Sequence, residues 1–339
     1  MKIAFFEAKE WEANYLKEKL PNHQLVFFDH ILSPTTLPNE RDFEIISGFT
    51  GSKIDATILA NFSNLKMIAS RTTGIDHIDE AATKAKGVVV KNVPTYGENT
   101  VAEFAFALLL DLSRKITQAS FRVRDRANFT TEGLEGFDLS GKTIGVLGTG
   151  HIGKHSIKIA NGFDMKVIAF DAMPNRVLEQ QLNFKYVSLE DLLKSSDVIT
   201  IHVPYLPTTH HLINKNNVSL IKKGCVLINT ARGAIVETEA LVLGLNQGIL
   251  GGVGLDVLEE EAMLKNERQM VMESELKDED LRTVLENHVL MGMDKVIITP
   301  HNAFNTREAM VRILATTIEN INSFTAPTPT VSPAPAQPT

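Results

Sequence analysis

Apolar residues arrive along this chain in short continuous runs. The runs are KIAFFE (2–7), QLVFFD (24–29), EIISGF (44–49), MIASRT (67–72) and VVVKNV (88–93), then TIGVLG (143–148), KVIAFD (166–171), VITIHV (198–203), CVLINT (225–230), GVGLDV (252–257) and VIITPH (296–301). A strand with one wet face alternates apolar and polar; a strand covered on both faces is apolar throughout. Amphipathic stretches separate the runs, so the pattern predicts parallel sheets with helices on both faces, an α/β fold.

The rhythm breaks at NVPTYGENTVAEFAFALLLDLSRKI. Pro94 and Gly97 interrupt the strand pattern, and Thr100 and Glu103 have capping-box spacing. Phe104 to Leu110 is apolar nearly all round, which predicts a long buried helix passing from a first domain into a second. REAMVRILATTIENINSF (307–324) reads as a last amphipathic helix that returns to the first domain. The Pro/Thr-rich tail 326–339 is expected to be flexible.

Composition narrows the class. A chain of 339 residues suits two domains, and 43% hydrophobic content is ample for their cores. A net charge of −7 and a pI near 5.8 argue against nucleic-acid or anionic-membrane partners. The apolar cluster 105–110 stops at Asp111, well short of a membrane span. MKIAFFEAKEWE lacks the pattern of a secretory leader and reads as a first strand. The single cysteine, Cys225, cannot form an internal disulfide and reads as a buried small apolar residue. The expectation is a cytoplasmic protein without a metal site.

VLGTGHIGKHSIKIANGFDMKVIAFD carries the first chemistry. Gly148, Gly150 and Gly153 form G-x-G-x-x-G between a predicted strand and a helical pattern, and the next strand ends in Asp171, about 20 residues on. Alone the glycines could mark an ordinary turn; in this context they are the fingerprint of a dinucleotide-binding βαβ unit. Gly148 permits the tight turn, Gly150 lets backbone approach a pyrophosphate, and Gly153 lets helix and strand pack closely. The helix N-terminus offers N–H groups to phosphate. A carboxylate at Asp171 suits ribose hydroxyls and repels a 2′-phosphate, which favours NAD over NADP. Arg176 could soften that preference or lie solvated on the surface.

Further polar groups stand at the ends of three apolar strands. Arg232 follows CVLINT, Asp256 and Glu261 lie in GVGLDVLEEE, and His301 ends VIITPH. Ligands of parallel sheets bind outside the strands' C-terminal ends, so these groups should share one pocket. A guanidinium fork there suits a carboxylate. Arg232 could instead be a structural ion-pair partner, His301 is one of 10 histidines, and Glu259–Glu261 could be a solvated acidic run. Spacing alone does not select among the three glutamates.

The sequence resembles the D-isomer-specific 2-hydroxyacid dehydrogenases, and within them the D-lactate dehydrogenase branch. The matching segments are RTTGIDHID (71–79), NVPTYGENTVAEFAF (92–106), VLGTGHIG (146–153), HVPYLPTTHHLIN (202–214), INTARGAIV (228–236), GLDVLEEE (254–261) and ITPHNAF (298–304). The resemblance implies that Arg232 binds the substrate carboxylate, Glu261 pairs with His301 and favours its protonated form, and His301 is the acid/base. It implies that Asp256 lies near the nicotinamide amide. Backbone N–H groups of Thr73 and Gly74 would hold the carboxylate from the other domain, with Tyr96 and Phe304 lining the pocket. His151, Ile152, His202, Val203, Pro204, Thr209, Thr230, Ala231 and His301 join Gly148, Gly150, Gly153, Asp171 and Asp256 as implied cofactor contacts. Two Rossmann/flavodoxin-like domains follow: 1–98 with 303–325 for substrate and 99–302 for NAD, with the active site in the cleft between them and a homodimer as the assembly.

The substrate expected is pyruvate, reduced reversibly to D-lactate with NADH. The long segment between GLDV and ITPH, with LKDEDLRTVLENH as an added helix, favours the lactate branch. Lactate-type members often carry an aromatic residue where this chain has Asn305, which keeps bulkier 2-oxo acids, glyoxylate and hydroxypyruvate open. An NAD-sensing corepressor and a phosphite-oxidising enzyme are the readings from other classes.

Overall fold

The computed structural model describes residues 1–265 and 278–326. Residues 327–339 of the tail, and Leu276 and Lys277 at the start of the added helix, lie outside the described residues. The chain divides into two compact units, Met1–Tyr96 with the chain from Arg307 onward, and Gly97–Thr306.

The first unit is a five-stranded parallel sheet of β1 (Lys2–Phe5), β2 (Gln24–Phe27), β3 (Ile45–Ser47), β4 (Met67–Ala69) and β5 (Val89–Lys91), in the order β2-β1-β3-β4-β5. That is the flavodoxin-like order. Ala4, Phe6, Ile46 and Ile68 pack into one core layer, while Ile3, Phe5, Ile45 and Met67 pack into the other. Consecutive residues thus face opposite layers, and both layers demand apolar side chains. The last helix, Arg307–Thr325, joins the second layer through Leu314, Ile318 and Ile321.

The second unit holds β6 (Thr143–Leu147), β7 (Lys166–Phe170), β8 (Lys185–Tyr186), β9 (Val198–Ile201), β10 (Cys225–Asn229), β11 (Leu250–Leu255) and β12 (Val296–Ile298). Their order is β12-β11-β10-β9-β6-β7-β8, with every pair parallel. Counted from β6 this is the Rossmann order with one added strand, and the order reverses at β6, between β7 and β9. Along β10, Cys225 and Leu227 face one core while Val226 and Ile228 face the other. Cys225 is buried as expected, and burial pushes its thiol well above the usual range.

Two sequence expectations are corrected, and one strand adds to those the sequence predicts. The helix read from Thr100 starts earlier, at Glu98, behind Gly97, and Thr100 is buried inside it rather than capping it. Glu103 instead accepts from Asn99 Nδ2 at 3.0 Å. The strand β8 had no sequence signal, because two residues are too few to show a period. The units change over at Tyr96/Gly97 and Thr306/Arg307 rather than at 98/99 and 302/303. Gly97 belongs to the helix it precedes, and the turn 302–306 is closed onto the second unit by Asp256. Among the described residues no helix is long and apolar enough to cross a membrane.

Candidate active site

The glycine loop follows β6 at the point where strand order reverses. Gly148 has φ +93°, and a Cβ there would sit 2.8 Å from Val203 N and 2.9 Å from the His202 carbonyl. Only glycine accommodates both conditions. A Cβ on Gly153 would lie 2.0 Å from Gly148 O, so the helix His151–Gly162 can press on the loop only through this residue. A Cβ on Gly150 would meet nothing within 4 Å. Its backbone faces open space at the helix N-terminus, where a phosphate can approach. His151 is exposed there, with Nδ1 3.9 Å from Glu98 Oε1, and Ile152 is half-buried.

Asp171 ends β7 beside this loop. Its Oδ2 accepts from Thr149 N–H (2.7 Å) and Thr149 Oγ1 (2.8 Å), and its Oδ1 accepts from Met173 N–H (2.9 Å). Burial opposes its ionisation, but these donors outweigh burial and hold the carboxyl below its ordinary range.

His202 follows β9 with its ring turned inward, Nε2 lying 2.8 Å from Ser156 Oγ and 3.0 Å from Thr200 Oγ1. Burial lowers its pKa to about 3, so the ring stays neutral in the fold. The unfolded chain takes up a proton near pH 6.5 that the folded chain refuses. Stability from this group is therefore full above pH 6.5 and lost progressively as pH falls toward 3. His202→Gln should shrink the loss of stability between pH 7 and pH 5 by roughly 2 kcal/mol, measured by urea unfolding at both pH values. Equal losses in the two proteins would refute the assignment.

β10, β11 and β12 are neighbours, and their C-terminal ends carry the remaining groups. Asn229 closes β10: its Oδ1 accepts from Ala231 N–H (3.0 Å) and its Nδ2 donates to Arg232 O (2.9 Å). That turn projects Arg232, which is half-buried with Nη1 donating to Ala231 O at 2.8 Å. A Cβ on Gly233 would lie 2.0 Å from the Leu258 carbonyl carbon, so this glycine lets the arginine loop meet the acidic loop.

Asp256 is buried after β11. It accepts from Thr299 Oγ1, Asn302 N–H (2.8 Å) and Ala303 N–H (2.7 Å), and so ties down the turn that bears His301. Burial pushes its carboxyl up despite those donors. His301 has φ +52°, an uncommon conformation for a non-glycine residue, and its N–H donates to Asp256 O (2.9 Å). Its Nδ1 lies 3.2 Å from Glu261 Oε2, and its ring meets Phe304 edge-on with centroids 6.5 Å apart.

The other two glutamates do different things. Glu259 points to His211 Nε2 and accepts from Thr238 N–H (3.0 Å) and Oγ1 (2.8 Å). Its carbonyl accepts from Asn287 Nδ2 (2.8 Å), on the helix Asp278–Met291. Glu260 is left-handed at φ +53°, and the turn there swings Glu261 toward His301. Asn229, His211, Thr238 and Asn287 were not singled out from the sequence. Only Asn229, a turn-forming residue at a strand end, carried a local signal.

The other predicted residues are placed less tightly. Pro204 is exposed, and Thr209 Oγ1 is spent on the local turn through Pro204 O (2.6 Å) and Leu206 N–H (2.8 Å). Val203 backs the glycine loop, and Ala231 lies in the arginine turn. In the first unit, the loop after β4 is braced: Thr72 Oγ1 donates to Gly74 O (2.7 Å), Thr73 Oγ1 to Val93 O (2.9 Å), and Asn92 Nδ2 to Thr73 O (2.6 Å). Arg71, just before it, is fully buried against Glu12 at 2.9 Å. Tyr96 is half-buried and its carbonyl accepts from Arg312 Nε.

A nicotinamide dinucleotide fits this edge. The open approach at Gly150 suits a pyrophosphate and Asp171 suits a ribose. The buried Thr230 Oγ1, which has no hydrogen-bond partner among the described residues, adds a free polar group between the glycine loop and His301.

Comparison with known proteins agrees. A family model described as the NAD-binding domain of D-isomer specific 2-hydroxyacid dehydrogenases matches residues 106–303. The chain is 34% identical over 331 residues to the D-lactate dehydrogenase of Escherichia coli, covering 96% of this chain and 97% of that one. It is 38% identical over 262 residues to the aromatic 2-oxoacid reductase of Clostridium sporogenes, covering 77% and 76%. The crystal structure of D-lactate dehydrogenase from Aquifex aeolicus complexed with NAD and lactic acid matches with a TM-score of 0.83 at 35% identity, over 95% of each chain.

Proposed function

The chain belongs to the D-isomer-specific 2-hydroxyacid dehydrogenase family and is an NAD-dependent enzyme of that kind; from this premise we propose that it interconverts pyruvate and D-lactate, with Arg232, Glu261 and His301 carrying the reaction. The observation that carries the reading is the 3.2 Å contact of His301 Nδ1 with Glu261 Oε2, on a strand end two places from that of Arg232.

Arg232 takes the pyruvate carboxylate with its fork, which also fixes the direction of the carbonyl. Thr73, Gly74 and Tyr96 are the first unit's contribution to substrate binding. Glu261 engages Nδ1 and fixes the direction of the ring, leaving Nε2 of His301 to face the carbonyl oxygen. NADH, when bound, would supply the hydride for the carbonyl carbon. As negative charge grows on the oxygen, His301 gives it the Nε2 proton, and D-lactate results. In the reverse direction neutral His301 takes the hydroxyl proton. On the cofactor side, Gly148, Gly150, His151, Ile152 and Gly153 would cradle the pyrophosphate, and Asp171 would take the adenosine ribose. His202, Val203, Pro204, Thr209, Thr230, Ala231 and Asp256 would complete the cofactor contacts.

The test is NADH consumption with pyruvate, beside glyoxylate, hydroxypyruvate, 2-oxoisocaproate and phenylpyruvate. Pyruvate should give the highest kcat/KM, and D- but not L-lactate should be oxidised. A second reading moves the substrate to a bulkier 2-oxo acid. It is favoured by Asn305, a short exposed side chain bonded to Asn302 Oδ1 (2.9 Å). Strong phenylpyruvate with weak pyruvate turnover would select it and leave the mechanism intact.

The assembly proposed is a homodimer. The helix Ile116–Arg126 buries none of its residues, and Ile116, Phe121, Val123 and the nearby Phe129 are exposed. Apolar surface of this kind marks an interaction face. Light scattering should give about twice the chain mass of 37.4 kDa. Phe121→Asp should shift the protein to monomer, and a wild-type mass of one chain would refute the dimer.

A further inference from the structure

Tyr186 lies on β8, two residues wide, and its hydroxyl reaches the residues that hold Asp171. Thr149 Oγ1 is 2.8 Å from Asp171 Oδ2 and 2.8 Å from Tyr186 Oη. Each hydroxyl has one proton to give. Asp171 already accepts Thr149 N–H and Met173 N–H and is held ionised, so the Thr149 proton goes to it. Thr149 must then accept from Tyr186, and Tyr186 Oη in turn accepts from Asn175 N–H at 3.2 Å. The donors run one way, from Asn175 through Tyr186 and Thr149 to Asp171. They fix the orientation of the carboxylate at the end of β7.

A second set of contacts holds a cation. Arg176 Nη1 is 2.8 Å from Glu179 Oε2, and its guanidinium carbon lies 5.6 Å from the Tyr186 ring centroid. Glu179 Oε1 accepts from Tyr186 N–H at 2.8 Å, so the carboxylate is anchored to the strand. An ordinary surface i,i+3 pair holds its partners weakly. Here one end is fixed: the Glu179 side chain is 19% exposed, against 69% for Arg176. Arg176 also has the tyrosine face as a second contact.

We propose that Tyr186 and Glu179 set the discrimination between NADH and NADPH, Tyr186 by orienting Asp171 and Glu179 by keeping Arg176 off a 2′-phosphate. The proposal rests on the reading that Asp171 takes the adenosine ribose. A 2′-phosphate approaching this corner meets two carboxylates, while Arg176, which could offset them, is neutralised by Glu179. Asp171 alone is then only part of the selectivity.

The test is titration of NADH and NADPH binding by cofactor fluorescence, at low and at about 0.15 M salt. Glu179→Gln keeps an acceptor for Tyr186 N–H and removes the charge that holds Arg176. The NADPH Kd should tighten about three- to fivefold with little change for NADH, since an exposed pair biases its partner by no more than that. The gain should shrink at the higher salt and vanish in Glu179→Gln/Arg176→Ala. Tyr186→Phe keeps the ring and loses the hydroxyl; the NADH Kd should weaken about fivefold and the NADPH Kd less. An unchanged NADPH Kd in Glu179→Gln, or a gain that survives in the double variant, overturns the role of Glu179. An unchanged NADH Kd in Tyr186→Phe overturns that of Tyr186. Asp171→Ala separates the two levels. If it weakens NADH binding while the other variants do nothing, this inference fails and the ribose reading stands. If it too leaves NADH binding unchanged, the ribose reading itself falls.

Discussion

His301→Ala should lower kcat for pyruvate reduction by about 10²- to 10⁴-fold, the range that positioned general-acid catalysis contributes. The KM for pyruvate should change far less, because in the proposed mechanism the carboxylate is held by Arg232. The NADH Kd should stay within about twofold, since the removed group acts on the oxygen that gains charge only in the transition state. Three backbone-to-Asp256 bonds hold this turn, from the N–H groups of His301, Asn302 and Ala303, and none of them uses the imidazole. The turn should therefore survive loss of the ring, and circular dichroism with a thermal melt can show that it does. Glu261→Gln keeps a hydrogen-bond partner for Nδ1 while removing the charge, so its loss should be smaller than that of His301→Ala. Full activity in His301→Ala with an intact fold would remove the histidine from the mechanism.

Arg232→Lys should raise the KM for pyruvate by on the order of 10- to 100-fold and lower kcat with it, because a lysine keeps the charge and loses the fork. The double loss is the informative part. A cation that only attracted the substrate would affect KM alone; one that also aims the carbonyl affects the chemical step. Asn229 holds the turn through the backbone of Ala231 and Arg232, so the substitution leaves its support in place. Cofactor titration should be unaffected, which separates this outcome from a misfolded loop. Unchanged KM and kcat would mean that the guanidinium, whose Nη1 here donates to Ala231 O, serves the fold instead.

Much of this protein was readable from residue order, for a definite reason. The strands run continuously apolar because neighbours such as Val226 and Leu227 enter opposite core layers, so neither face tolerates a polar residue. The glycines at 148 and 153 announced themselves because each answers a backbone constraint that only glycine meets: a positive φ in one case and a 2.0 Å approach in the other. Polar residues at the ends of such strands stand out for the same reason, as Arg232, Asp256 and His301 do.

What tertiary structure decided lies where no period operates. EEE at 259–261 is three equal carboxylates in sequence. Glu259 is turned to His211 and Thr238, Asn287 grips its carbonyl, and Gly233 lets the arginine loop press on Leu258. With those contacts made, the chain turns left-handed at Glu260 and Glu261 meets His301. Those partners come from the loop after β9, from the turn and the helix after β10, and from a helix near the end of the unit. Local propensity runs only a few residues, so it could name the three candidates and could not aim them. The same limit hid Tyr186, whose ring and hydroxyl matter only because the fold sets a two-residue strand beside β7.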